Sequence, residues 1–321
     1  MTILVVAGLV FLAALGIARE QVTAPGPLDE AAFVKVERGA SLGTIAEQLF
    51  EAGAIESAMM FRLAARYSGQ AGDLKFGEYE IPPAASVEEI LEIVTSGRSI
   101  QYSVTIPEGM TVAMAVDRLN EMRLLTGEIE EMPAEGSLMP DTYSFSRGDT
   151  RQSVIETMQA AMQKELDAAW EARAPDLPLE SKEQLLILAS IVEKETRPEE
   201  HKKVASVFVN RLNKGMKLQT DPTVIYGITL GTAPLGRGLR RSELAAATPY
   251  NTYVIEGLPP TPIANPGRES IRAVADPDET PYFYFVADGT GGHAFAETLD
   301  EHNRNVANWR KIERERQAAQ Q

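Results

Sequence analysis

Residues 185–195 read LLILASIVEKE, an apolar run of about three helical turns that closes on two glutamates separated by one residue. At about 100° per residue, Leu185, Leu188, Ala189, Val192 and Glu195 lie around one side of the cylinder. Glu193 and Glu195 are then separated by about 200°, so the two carboxylates cannot share one small site while the segment is helical. One of them must be a structural partner. Measured from the centre of the apolar arc, Glu195 lies roughly 50° off and Glu193 roughly 110° off, which puts Glu195 inside the buried stripe and Glu193 at its edge. Thr196 and Glu199 have capping-box spacing with Pro198 in the first turn of the next helix, so the first helix is expected to stop near Glu195. Partial burial and the negative end of the helix dipole both disfavour a charged carboxyl there, and a raised pKa suits a proton donor. The competing reading is a helix-end glutamate paired with Lys194, Arg197 or another base.

The rest of the composition narrows the class of chemistry. A chain of 321 residues, 44% of them hydrophobic, can hold two or three domains with cores of their own. A formal charge of −15 argues against nucleic-acid binding, which needs a basic face to release counterions from phosphate, although residues 237–241 form a local basic patch. Cysteine is absent, which excludes disulfides and thiolate metal sites, and the three histidines, His201, His293 and His302, are too dispersed for a ligand motif. No metal and no cofactor are expected.

Residues 2–18 (TILVVAGLVFLAALGIA) are uncharged and apolar and would span about 26 Å as a helix. The expectation is a transmembrane anchor over 1–18, followed by a linker over 19–31 that contains APGP at 24–27. A cleaved signal peptide is the alternative, since Gly16, Ile17 and Ala18 loosely resemble a processing site and no basic residue precedes the run. An exported, acidic chain without cysteine would be periplasmic or extracellular.

Beyond the linker lies an internal repeat. VKVERGASL at 34–42, with Ile45 and Leu49, recurs as VTIPEGMTV at 104–112, with Ala115 and Leu119. Both read as a strand, a glycine turn and a helix capped by Ser41 or Thr111. The first copy extends through 61–67, a strand at 77–81 and a helix at 86–95 that ends at Gly97. Two small α/β modules are expected, 32–100 and 101–148. The first resembles a LysM module, a peptidoglycan-binding unit whose strand leads through a glycine and a capping serine into a helix. A plain spacer that holds the next domain off the membrane is the alternative.

From residue 149 to the end a mixed helical domain with a short β-hairpin is expected, making the chain α+β overall. A helix over 152–173 carries Ile155, Met158, Met162 and Leu166 on one side as core, and one over 197–214 turns Val204, Val207, Phe208 and Leu212 inward. Residues 282–287 (YFYFVA) read as a buried strand, and 288–292 as the turn of a hairpin returning through His293, a hydrogen-bonded turn residue. The tail after Trp309 reads as a charged surface helix. Stiff proline-containing loops at 218–226, 249–253 and 257–267 bear amide, hydroxyl and aromatic side chains and suit either a carbohydrate groove or ordinary turns.

In their order and wording, PDTY at 140–143, ASIVEKET at 189–196, VASVFVNRL at 204–212, LQTDPTVIYG at 218–227, YNTY at 250–253, GLPP at 257–260 and YFVA at 284–287 resemble the endolytic murein transglycosylase family, the YceG-like or MltG-type proteins of the bacterial inner membrane. The resemblance implies a single-pass anchor, a catalytic domain in the periplasm, and Glu195 as the catalytic glutamate of the Glu-Lys-Glu-Thr motif. It implies non-hydrolytic cleavage between N-acetylmuramic acid and N-acetylglucosamine, with 1,6-anhydro ends that would terminate strand elongation. Gln219, Asp221, Tyr226, Asn251 and Tyr253 are the candidate substrate-binding residues. Peptidoglycan synthases at the inner membrane are the implied protein partners, and glycan strands the substrate. Ordinary glycosidases use two carboxylates, so Asp221 could serve as the second. The alternatives are a hydrolytic muramidase, with Asp221 as base, and a non-catalytic peptidoglycan-binding scaffold.

Overall fold

Alternation in the sequence AFVKV makes the first strand: in β1 (Ala32–Val36) Val34 and Val36 are buried while Phe33 and Lys35 face out. The computed structural model describes residues 16 and 19–319. The expected anchor over 1–18 therefore lies, apart from Gly16, outside the described residues. Among the described residues no helix is long and apolar enough to cross a membrane.

The chain divides into two compact units, one of residues 1–103, 123–126 and 144–150, the other of 104–122, 127–143 and 151–321. In the first, β1 runs antiparallel to β2 (Gly77–Ile81) with Val34 opposite Tyr79 and Ala32 opposite Ile81. Helices α1 (Leu42–Glu51), α2 (Ala58–Tyr67) and α3 (Val87–Ser96) supply Ile45, Leu49, Phe61, Ile90 and Val94 to the core. The Tyr79 phenol is buried with them and donates to Lys75 O at 2.9 Å, so the polar end of this aromatic is satisfied. Ser86 and Glu89 form a full capping box and Gly97, at φ 72°, ends α3.

The repeat read from the sequence is present in the backbone. Ser41 caps α1 at φ −74°, ψ 157°, and Thr111 caps α4 (Val112–Asn120) at φ −76°, ψ 162°. Each cap is preceded by a glycine in the left-handed region, Gly39 at φ 79° and Gly109 at φ 72°, where a Cβ would be strained.

The second unit is built on α6 (Lys182–Glu195), against which α5 (Arg151–Glu171), α7 (His201–Asn213), α8 (Asp221–Thr229) and α10 (Arg268–Ala275) pack. The short α9 (Arg241–Leu244) lies in the loop region between them. The middle of α6 is buried nearly all round, Leu185 and Ile187 to Val192, rather than along a single stripe. Its one polar residue there, Ser190, donates to Ile187 O at 2.7 Å and accepts from Ile263 N–H at 3.0 Å. Ile155, Met158, Met162 and Leu166 form the buried side of α5, as the periodicity requires. Strands β3 (Tyr102–Thr105) and β4 (Thr142–Phe145) pair with each other, and β5 (Tyr284–Ala287) with β6 (His293–Ala296) in a hairpin that aligns Phe285 with Phe295. α11 (Leu299–Ala319) follows. This mixture of helices with small two-stranded sheets is α+β.

Two local expectations are corrected. The strand is 284–287 rather than 282–287 and is half-buried along its whole length, in a sheet of only two strands. No capping box joins Thr196 to Glu199: the residue before Pro198 is held extended (Arg197, φ −85°, ψ 161°), so a 3-10 turn over Pro198–Glu200 precedes α7. The Thr196 hydroxyl donates to Glu200 at 3.1 Å instead.

Phe208, 1% exposed, meets the Phe285 ring edge-on at 5.8 Å and thereby ties α7 to the hairpin. Phe208→Ala should lower unfolding free energy by about 3–5 kcal/mol, read from the shift of a denaturant midpoint.

Candidate active site

α6 stops at Glu195 because Thr196 leaves the helical region (φ −151°, ψ 175°). The two glutamates then part, as helix geometry demands. Glu193 accepts from Gly267 N–H at 2.9 Å and Ser270 Oγ at 2.7 Å, fastening α6 to the start of α10, where a carboxylate meets the positive end of the helix dipole. A Cβ on Gly267 would meet the carboxyl of exposed Glu108, whose flexible side chain would have to swing aside. His201 continues the same network, with Nδ1 3.2 Å from Ser270 Oγ and Nε2 3.2 Å from Thr196 O. Glu193 is the structural partner, and Lys194 donates to Gly109 O at 3.1 Å rather than to either neighbour.

Glu195 is half-buried, and its Oε1 accepts a hydrogen bond from the buried Thr220 hydroxyl. Burial pushes its carboxyl above the ordinary range. The Thr220 bond pulls it down, the nearby Asp221 carboxylate adds to the rise, and the charges of His293 and Arg211 reduce it. The group is thus a carboxyl whose proton is held more tightly than in water.

The loop that delivers Thr220 depends on Gln219, one of few non-glycine residues with positive φ (52°). Such a conformation costs about 1–2 kcal/mol. It is held by Gln219 N–H to Thr252 O at 3.1 Å and Thr220 N–H to Thr252 Oγ1 at 3.0 Å, while Thr223 Oγ1 donates to Thr220 O at 2.8 Å. The left-handed residue leaves the Gln219 side chain exposed and turns Thr220 inward.

Around Glu195 the structure gathers Asp221, Tyr253, Arg211 and His293, whose charges or dipoles reach one another. Asp221, exposed, accepts from the Tyr253 hydroxyl at 2.7 Å. Burial pushes that phenol up, and the Asp221 bond and the Asp221 and Glu195 charges push it further. Tyr226 instead donates to Glu135 at 3.2 Å and lies edge-on to Tyr250, centroids 5.0 Å apart. Asn251 is fully buried: its amide donates to the carbonyls of Glu243, Leu244 and Ala246, and its oxygen accepts from Tyr253 N–H at 3.0 Å. Every polar atom of Asn251 is therefore engaged by backbone, and it positions Tyr253 from behind. His293, expected in the turn, is the first residue of β6 and pairs with Ala287; its ring is fixed by Glu200, 2.7 Å from Nδ1. Burial works against the Glu200 charge, but the bonds from His293 prevail and hold that carboxyl below its ordinary range.

Three participants went unread in the sequence. Thr220 stood inside the quoted 218–227 motif without a role, and Arg211 inside 204–212. Glu135 lies in a loop with no periodicity to mark it, yet burial raises its carboxyl while Val112 N–H (2.9 Å), the Tyr226 hydroxyl and Gly136 N–H oppose the rise. Among the described residues no group of three metal-ligating side chains converges.

Three outcomes follow from this geometry. Thr220→Val removes the bond that favours the carboxylate, so a carboxyl 13C titration should place Glu195 higher than in the wild type. The folded protein binds the Glu195 proton more tightly than the unfolded chain, so this group's contribution to stability falls as pH rises from about 4.3 through the raised folded value. Glu195→Gln, which cannot ionise, should therefore show a higher urea midpoint than the wild type at pH 7, with the gain shrinking towards pH 4. Asn251→Ala leaves three carbonyls without their donor and should lower stability by about 1–3 kcal/mol in the same assay.

The chain matches the YceG-like family over residues 34–308. It is 31% identical over 308 residues to a Bacillus subtilis protein named endolytic murein transglycosylase, covering 84% of this chain and 82% of that one. A Streptococcus pneumoniae protein of the same name is 29% identical over 324 residues, with this chain spanning 57% of its length. A 2.6 Å crystal structure of a yceG-like protein from Listeria monocytogenes superposes with a TM-score of 0.51 at 30% identity, covering 86% of this chain and 99% of that one. With a match that takes in both compact units and the whole stretch from α6 to β6, the chain belongs to the YceG-like family.

Proposed function

We propose that the protein is an endolytic peptidoglycan transglycosylase in which Glu195 is the single acid–base group. The observation that carries the reading is the Glu195 carboxyl itself, placed at the end of α6, held by Thr220 through one oxygen, and made by burial to hold its proton more tightly than a carboxyl in water. With Oε1 engaged, Oε2 carries the proton to the glycosidic oxygen between N-acetylmuramic acid and N-acetylglucosamine. The bond from that oxygen to C1 of the muramic residue breaks, and the same residue's C6 hydroxyl attacks C1. The Glu195 carboxylate takes the hydroxyl proton, which closes a 1,6-anhydro ring and restores the acid without consuming water. Family membership and the names of the relatives support the substrate and the lytic chemistry. New anhydro ends cannot be extended at C1, so cleavage of nascent strands would terminate their elongation.

Exposed Gln219 and Asp221, with half-buried Tyr253 and Tyr226, are the residues we assign to sugar contact, and Asn251 supports Tyr253 within that set. The unit carrying β1, α1, α2 and β2 is assigned a LysM-like role over 32–100, supported by the left-handed Gly39 and the Ser41 cap that lead its strand into its helix. The apolar run at 2–18 is assigned as a single-pass anchor in the inner membrane, which would hold the catalytic segment over 149–321 in the periplasm beside peptidoglycan synthases.

Digestion of purified glycan strands, analysed by mass, should release anhydro-muramyl ends from internal positions, and Glu195→Gln should slow release by about 10²–10⁴-fold. Reducing ends in place of anhydro ends would identify a muramidase with Asp221 as base. Absence of cleavage by the wild type would identify a binding scaffold.

A further inference from the structure

Arg211 is a buried cation that forms no ion pair among the described residues. It lies near the end of α7 at 7% exposure, and none of the ion pairs among the described residues includes it. Among the described residues its guanidinium donates only to carbonyls: Nε to Phe283 O at 2.7 Å, and Nη1 to Leu218 O at 2.7 Å and Lys217 O at 3.3 Å. The Tyr284 ring lies 5.3 Å from its Cζ. A charge this far from water is expensive to keep unless a partner of opposite sign compensates it, and an apolar side chain of similar volume would fill the space more cheaply. The opposite charges that its field reaches are Glu195 and, when ionised, Tyr253 and Tyr284.

The same side chain controls geometry. Lys217 and Leu218, the two residues it holds, lead directly into Gln219, Thr220 and Asp221. One guanidinium therefore anchors the loop that brings the Thr220 hydroxyl to Glu195 and also contributes positive potential at that carboxyl.

Resting on the reading of Glu195 as acid and then base, we propose that Arg211 is a positioning residue for that cycle: it fixes the 217–220 loop and supplies the charge that the Glu195 carboxylate meets once its proton has gone to the leaving oxygen. An acid that must return as a base needs both forms within reach. Burial and Asp221 on α8 favour the protonated form. Thr220 from the loop, His293 from β6 and Arg211 from α7 favour the carboxylate, and Tyr253 lies beside them with its hydroxyl turned to Asp221. Arg211 is the member of this set whose charge is permanent.

The test is the pH–rate profile of glycan-strand cleavage by the full chain, wild type against Arg211→Gln and Arg211→Lys, with Glu195→Gln as reference and folding checked by circular dichroism. Arg211→Gln should move the alkaline limb up by about half a pH unit or more and lower kcat by about tenfold or more, with KM little changed. Arg211→Lys keeps the charge and loses the fork, so the limb should stay in place while kcat falls. A fall in kcat with an unmoved limb in Arg211→Gln would reduce Arg211 to a structural residue and overturn the proposal, as would wild-type behaviour of either variant. If Arg211→Gln does not fold, Arg211→Lys decides alone: a displaced limb or an unchanged kcat overturns it. Cleavage that persists in Glu195→Gln would instead overturn the reading of Glu195, whatever the Arg211 variants do.

Discussion

One hydrogen bond, from the Thr220 hydroxyl to the Glu195 carboxyl, couples the end of α6 to the loop that leads into α8. Glu195 reaches its place because α6 is buried nearly all round and is stopped by an extended Thr196. Thr220 reaches its place because Gln219 adopts a left-handed backbone and Thr252 accepts and donates across the loop. The strain at Gln219 is local, and the bonds that offset it come from other parts of the second unit, as expected where a backbone is bent to serve a site.

Electrostatically the site is a balance of opposed small influences. Burial and a neighbouring carboxylate hold the proton on Glu195, while a hydroxyl, an imidazole and a buried guanidinium draw it off. A group held wholly in one form could act once and not return. The arrangement suits a carboxyl that has to give and take the same proton within one turnover.

Most of the architecture was legible because it rests on short-range rules. Ser41, Ser86 and Thr111 announce helix starts and serve as caps, and the spacing of Ile155, Met158, Met162 and Leu166 identifies the buried side of α5. That Glu193 and Glu195 meet different partners follows from two residues of rotation. What could not be read depends on contacts between distant segments. Asn251 looks like a polar loop residue until three backbone carbonyls close on it. Thr220 faces inward only because a glutamine takes a conformation usually left to glycine. The Thr196 and Glu199 pattern lost to Pro198 and to Glu200, which His293 recruits from the hairpin.

The opposed glutamates of α6 also bear on how such a chain can diverge. Glu193 is clamped at the start of α10 and Glu195 must point towards Thr220, so the two together set the helix in a fixed rotational phase. Side chains along α6 can be exchanged for others of similar bulk without disturbing that phase. Ser181 caps the start of α6 by accepting from Gln184 N–H, and adding or deleting one residue between it and Glu193 would turn the terminus by about 100° and misdirect both carboxylates at once. Lineages descended from this protein should therefore tolerate substitutions within α6 and reject changes in its length.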